Sequence, residues 1–311
     1  MVFRLSPILQ KVRPTQQSWL RRQYNDPYVR QRLSHPASYR SRSAFKLLEI
    51  NEKWGKFLEK NDVQAVVDLG AAPGGWSQVV AGKMGWLEDE RIDGTGPSSP
   101  LEGEGYGLNQ KAKDERYSSW SVKDRDLVDT FDPLSLTETP GRVGKGVIVA
   151  VDLLRMAPIP GVHTLQMDFL APKSSDIVMS ALKTSANPSG KADVIISDMA
   201  ANFTGNHITD SQACLDICFS AIEFASKTLK VADKQRGLRG GTLLLKHFAH
   251  PLLQEFRRRI LVPNFHVVYY IKPDSSRSES AEGYWLCRGW TGKKQVQRYA
   301  SETPHEDEFQ Q

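Results

Sequence analysis

Apolar residues along the chain gather into short runs separated by polar stretches rich in glycine and proline. Ala65 to Leu69, Gly146 to Asp152, His163 to Asp168, Ala192 to Asp198, Gly241 to Lys246, Phe265 to Ile271 and Tyr284 to Trp290 are short and largely β-branched, aliphatic or aromatic, and they predict strands. Helical spacing marks Ala44 toward Trp54, a stretch opening near Trp76, and the stretches Ser174 to Leu182, Ser211 to Leu229 and Pro251 to Leu261, with Ser41 or Ser43 placed to cap the first. Strand and helix alternate as far as Phe265, which predicts an α/β fold: a doubly wound, Rossmann-like sheet of seven mostly parallel strands with helices on both faces. No helix separates the last two strands, so the final one is expected to run antiparallel as the second arm of a hairpin.

The pattern fails in one place. From Glu88 to Lys145 no apolar stripe survives among Gly, Ser, Pro and mixed charges, so residues 87–146 are expected to be an inserted surface loop or a flexible, disordered segment. The segment carries 13 acidic and 8 basic side chains, and the rest of the chain therefore holds an excess of +10 although the whole is only +5. Such an excess fits a polyanionic partner through phosphate contacts. With 311 residues and 40% hydrophobic content the chain has material for one large core plus appendages. The expected organisation is a leader at 1–16, a basic segment at 17–40, a catalytic domain at 41–295 carrying the insertion, and a polar tail at 296–311. Leu5, Ile8, Leu9 and Val12 share one helical face, and residues 1–40 hold eight Lys or Arg against the single acid Asp26. That leader reads as a mitochondrial targeting segment, with a cytosolic RNA-binding arm as the competing reading. No apolar run has the length of a membrane span, the seven histidines lack metal-ligand spacing, and Cys214, Cys218 and Cys287 form no C-x-x-C pair. A protein without metal in a reducing compartment is expected, with Cys214 and Cys218 in the core.

The richest stretch is Val66-Val67-Asp68-Leu69-Gly70-Ala71-Ala72-Pro73-Gly74-Gly75-Trp76-Ser77. Three glycines in six residues let the main chain turn sharply and approach a ligand, and a helix starting near Trp76 aims free N–H groups at it. The spacing is not the G-x-G-x-x-G of dinucleotide sites, which disfavours nicotinamide cofactors. The string resembles the S-adenosylmethionine loop of the RrmJ/FtsJ family of RNA 2′-O-methyltransferases. That likeness implies cofactor contacts from Gly70, Pro73, Gly74, Gly75 and Trp76.

Ligands of doubly wound sheets bind outside the carboxyl ends of the strands. Asp68, Asp152, Asp168, Asp198 and Lys246 are all expected to close strands there. Taken alone, a strand-end aspartate is more often a loop cap. The text around Val151-Asp152-Leu153-Leu154-Arg155-Met156 matches the family closely, which implies that Asp152 receives the ribose hydroxyls and Asp168 lies near the adenine edge. Glu282 opens the antiparallel strand, so Asp198, Lys246 and Glu282 converge on one rim by topology. Lys46 falls on the polar side of its helix, where a lone lysine is ordinarily a solvated charge. Its context Arg40-Ser41-Arg42-Ser43-Ala44-Phe45-Lys46-Leu47 is similar to the family's catalytic helix, and with it the four match a Lys-Asp-Lys-Glu tetrad. The family's spacing from Ser276-Arg277 favours Glu282 over its neighbour Glu279.

The resemblance, over roughly residues 17 to 292 without the insertion, implies methyl transfer to a ribose 2′-hydroxyl. Such transfer needs that weakly acidic oxygen held in line with the methyl group. Lys246 is the candidate to hold or deprotonate it; Lys46 and desolvation would lower its pKa while Asp198 and Glu282 raise it, so base and orienting donor both stand open. Two departures from the family occur: Ala201 replaces a proline after Asp198-Met199-Ala200, and His247-Phe248-Ala249-His250 replaces a glycine-containing turn. The likeness is closer to the ribosomal RNA branch, which with the leader implies a monomeric mitochondrial enzyme acting on a large-subunit rRNA uridine. The alternatives are a cytosolic tRNA methyltransferase and a catalytically silent S-adenosylmethionine-binding assembly factor.

Overall fold

The computed structural model describes residues 26–87 and 144–292, except 202, 203, 234, 236–238 and 278. The leader, most of the insertion, Asn202 and the C-terminal tail lie outside the described residues.

Seven strands form one sheet: β1 (Ala65–Leu69), β2 (Val147–Asp152), β3 (Val162–Gln166), β4 (Val194–Ser197), β5 (Thr242–Phe248), β6 (Phe265–Ile271) and β7 (Glu282–Trp290). Their order across the sheet is β3-β2-β1-β4-β5-β7-β6. Every pairing is parallel except those of β7, which runs antiparallel between β5 and β6. The chain reverses its direction of travel across the sheet between β1 and β4, and a crevice at that point is where doubly wound folds bind ligands.

The described helices are α1 (Pro27–Ser34), α2 (Ala44–Lys53), α3 (Gly75–Lys83), α4 (Ser174–Ala181), α5 (His207–Thr228), α6 (Pro251–Phe256) and the short α7 (Val262–Asn264). Strand periodicity decides which face each helix covers. Ala65, Val67 and Leu69 point into a core shared with Val178 of α4 and Leu182 just beyond it, Cys214, Cys218 and Phe219 of α5, and Leu253 and Phe256 of α6. Val66, Ile148, Val194, Ile196 and Leu244 point the other way, against Ala44, Leu47 and Ile50 of α2 and Trp76, Val79 and Val80 of α3. A buried Leu or Ile contributes about 1.5–3 kcal/mol, so two cores of this size hold the sheet rigid between them. Among the described residues no helix is long and apolar enough to cross a membrane.

Element ends differ from expectation for local reasons. Helix α5 starts four residues early because Asn206 accepts the Ile208 and Thr209 amides. The expected helix from Pro251 changes after Phe256 into a π-helical stretch, Arg257–Leu261. Strand β3 stops at Gln166 and β5 runs on to Phe248, so neither Asp168 nor Lys246 closes its strand. Asp68 also lies inside β1. Ser43 occupies the N-cap position of α2 but its side chain makes no capping bond; the Ser41 and Ser43 hydroxyls bond to each other at 2.7 Å.

Candidate active site

Three strands and one helix bring the tetrad together. Asp198 follows β4 directly, Lys246 lies in β5 and Glu282 begins β7, all at positions whose period-two parity selects the α2 face of the sheet. The antiparallel register sets Phe248 opposite Glu282 and Lys246 opposite Tyr284. Lys46 Nζ lies 2.5 Å from Glu282 Oε1, and Lys246 Nζ lies 3.2 Å from Asp198 Oδ1 and 3.7 Å from Glu282 Oε2. Glu282 therefore bridges the two lysines. The loop that delivers it is tied to α2 by Glu49, which accepts the Asp274 and Ser275 amides at 2.7 and 3.0 Å and the Ser275 hydroxyl at 2.9 Å.

Lys46 is not the solvated charge that a lone helix lysine ordinarily is: the residue is 7% exposed. The first turn of α2 brings Lys46 to the sheet rim, where it meets Glu282. Burial pushes the Lys46 ammonium below its ordinary pKa, with Lys246 adding to that and Asp198 and Glu282 opposing it. For Glu282 burial acts upward, but the Lys46 charge, the hydrogen bond from Lys46, and Lys246 together hold it below the usual carboxylate range.

Tyr284 escaped the sequence reading. Its buried hydroxyl donates to Asp198 Oδ1 at 2.7 Å, and burial followed by the charges of Asp198 and Glu282 drives its pKa well up. In the sequence it reads as one more aromatic of an apolar strand, and only the β5–β7 register sets it beside Lys246.

The glycine turn forms the other half of the crevice. Gly70 and Gly74 have φ of +70° and +108°, and a Cβ on Gly70 would sit 2.1 Å from Met199 Cγ. A Cβ on Gly75 would meet Ser41 Oγ at 2.1 Å, so the segment leading into α2 lies directly on the turn. Pro73 is exposed at the tip of the turn. Asp68, completely desolvated, is pushed up to about 7, chiefly by burial and secondarily by Asp198 and Asp152, against a 2.7 Å hydrogen bond from Ser77. The Trp76 indole is buried against Tyr284 and donates to the Ser43 carbonyl at 2.8 Å. What Trp76 offers the crevice is its backbone N–H in the open first turn of α3.

Asp152 and Asp168 do cap loops. Asp152 accepts the Ala72 amide at 2.8 Å on one oxygen and the Leu154 amide at 2.7 Å on the other, and Asp168, exposed beyond the end of β3, accepts the Leu170 amide at 2.8 Å. A carboxylate carries about four lone-pair sites, so capping leaves acceptors for ligand hydroxyls. Open helix amides, a glycine-rich turn and spare carboxylate acceptors form a donor and acceptor set that fits a nucleoside with a cationic sulfur. His247 lies on the opposite face, unexposed and stacked on Trp285 at 3.7 Å, so the departure at 247–250 alters core packing first. Among the described residues no three His, Cys, Asp or Glu side chains are grouped to hold a metal ion.

The family model for FtsJ-like methyltransferases matches residues 39–118 and 136–290. The chain is 35% identical over 281 residues to the ribosomal RNA large subunit methyltransferase E of Xanthobacter autotrophicus, covering 89% of this chain and 80% of the relative. The protein of the same name from Bartonella tribocorum is 34% identical over 286 residues, 92% of this chain and 87% of the relative. Among solved structures, a ribosomal RNA methyltransferase from Plasmodium falciparum superposes with a TM-score of 0.51 at 22% identity, over 82% of this chain and 100% of its own, a likeness of fold.

Proposed function

Since this chain belongs to the FtsJ-like methyltransferase family, we propose that it methylates a ribose 2′-hydroxyl of large-subunit ribosomal RNA. The observation that carries the reading is the pair of lysines joined through Glu282, with Lys246 also paired to Asp198, at the rim beside the glycine turn. A silent assembly factor has no use for two desolvated lysines held at such a rim.

S-adenosylmethionine supplies an electrophilic methyl group when bound. Gly70, Pro73, Gly74, Gly75 and the Trp76 amide would hold it at the turn, and Asp152, Asp168 and Asp198 would offer it acceptors. On the other side Lys246 holds the 2′-oxygen of the acceptor in line. Positioning of this kind removes the orientational entropy of a two-substrate reaction, worth up to about 7–11 kcal/mol of barrier in well-oriented systems. Asp198 and Glu282 fix the Lys246 ammonium, Lys46 fixes Glu282, and Tyr284 fixes Asp198. The hydroxyl proton is given up into this lysine–carboxylate network once the oxygen has attacked.

The finer assignment is a monomeric mitochondrial enzyme acting on a uridine. The short basic amphipathic leader supports the compartment, and Asp198-Met199 with Leu153-Leu154-Arg155-Met156 supports the rRNA branch over a tRNA enzyme. Replacing Lys246 with alanine is expected to abolish transfer to rRNA, and full retained activity would sink the catalytic proposal. Mapping 2′-O-methyl sites in rRNA and tRNA pools after depletion tests the substrate: a lost tRNA mark with intact rRNA would overturn it.

A further inference from the structure

Arg40 joins the two loops on the cofactor side of the crevice. Its guanidinium donates from Nη1 to the Ala157 carbonyl at 2.6 Å and the Pro73 carbonyl at 3.3 Å, and from Nη2 to the Pro158 carbonyl at 2.7 Å. Its own amide donates to Gln78 Oε1 of α3 at 2.8 Å. One residue thus joins the glycine turn, the loop that follows Asp152, and the segment that enters α2 and carries Lys46. The loop after β2 needs such a fastening. Leu153 and Leu154 are each 67% exposed, and Met156 with Ala71 and Ala150 form only a small apolar cluster beneath it. Arg40 also passes directly over the turn, because a Cβ on Gly74 would meet its Nη1 at 3.0 Å.

We infer that Arg40 is a positioning residue that sets the width of the cofactor crevice by fastening its two loops to the entry of the catalytic helix; this rests on the methyl-donor reading above. The planar guanidinium matches the task, since two nitrogens at fixed separation reach carbonyls on both loops at once, whereas a lysine ammonium is a single point. A crevice held at its bound width binds its ligand without a further ordering cost. Losing two or three such hydrogen bonds corresponds to about a tenfold loss of affinity or more. Replacing an arginine that contacts RNA phosphates would instead weaken RNA binding in a salt-dependent way.

The test uses the full chain, with S-adenosylhomocysteine binding read by calorimetry and RNA binding read across a salt series. Arg40→Ala and Arg40→Lys are both expected to weaken S-adenosylhomocysteine binding about tenfold and to raise the KM for the methyl donor more than they lower kcat, with RNA affinity within twofold of wild type. If the alanine variant does not fold, the lysine variant decides. Lysine restoring wild-type affinity, or RNA affinity falling while cofactor affinity holds, overturns the inference. A wild-type chain that binds no S-adenosylhomocysteine overturns the donor reading itself, whereas wild-type binding with both variants within twofold of it refutes the role of Arg40 alone.

Discussion

Replacing Glu282 with methionine removes the carboxylate that faces both lysines. The Lys46 and Glu282 side chains are only 8% and 10% exposed and meet at 2.5 Å, so the substitution leaves Lys46 as a desolvated ammonium without its nearest counter-charge. Breaking a buried pair on one side costs about 3–5 kcal/mol, much of the 5–15 kcal/mol by which a typical domain is stable. Lys246 keeps Asp198 at 3.2 Å, which places the expected loss toward the lower end of that range. Urea melts are expected to show a lower midpoint at unchanged slope. The double variant Lys46→Met/Glu282→Met removes both charges and is expected within about 1 kcal/mol of wild type, because an apolar pair of similar volume often replaces a buried ion pair without loss. Neither variant is expected to transfer methyl groups. In the single variant the folded-state pKa of Lys46 lies below its unfolded value, so the deficit is largest near neutrality and shrinks as pH rises through that folded pKa. Two results would refute the reasoning: a single variant as stable as wild type, or a double variant no more stable than the single.

Three further outcomes follow from the same geometry. His247, unexposed and held near pKa 4 chiefly by burial, lies below the unfolded value of 6.5, so the wild type is expected to lose about 3 kcal/mol as pH falls from 6.5 to 4; His247→Phe should flatten that part of the stability profile, and an unchanged profile counts against it. Tyr284→Phe removes the donor to Asp198 and is expected to lower kcat about tenfold to a hundredfold with little change in cofactor affinity, checked by steady-state methyl transfer. Gly75→Ala drives a Cβ against Ser41 Oγ and should cost about 1–3 kcal/mol by thermal melting, with Gly75→Ala/Ser41→Gly recovering most of it.

The strand segments, the antiparallel last strand and the glycine turn were legible because they rest on local signals: short apolar runs, the absence of a helix after Phe265, and glycines where φ turns positive. Asp198 and Glu282 stand at the strand boundaries that topology assigns them. What stayed hidden depends on packing across the sheet. Lys46 looks solvated on a helical projection, which cannot show that it meets Glu282. The bond from Tyr284 to Asp198 depends on a β5–β7 register that no turn signal encodes, because ten residues separate β6 from β7. Asp168 and Lys246 were placed at strand ends because side-chain alternation does not say where pairing stops, and the Arg40 contacts join residues more than a hundred positions apart.

The insertion of β7 between β5 and β6 has a consequence for biosynthesis. A chain emerging from its N-terminus can lay down β1 to β5, and with them the cofactor turn, Lys46, Asp198 and Lys246, before Glu282 has been made. Until the last strand threads into its slot, the two lysines lack their common carboxylate and Asp198 lacks its tyrosine. On the proposed mechanism, catalytic competence therefore arrives late, with completion of the sheet: a nascent or C-terminally truncated chain could hold the donor yet have no means of using it.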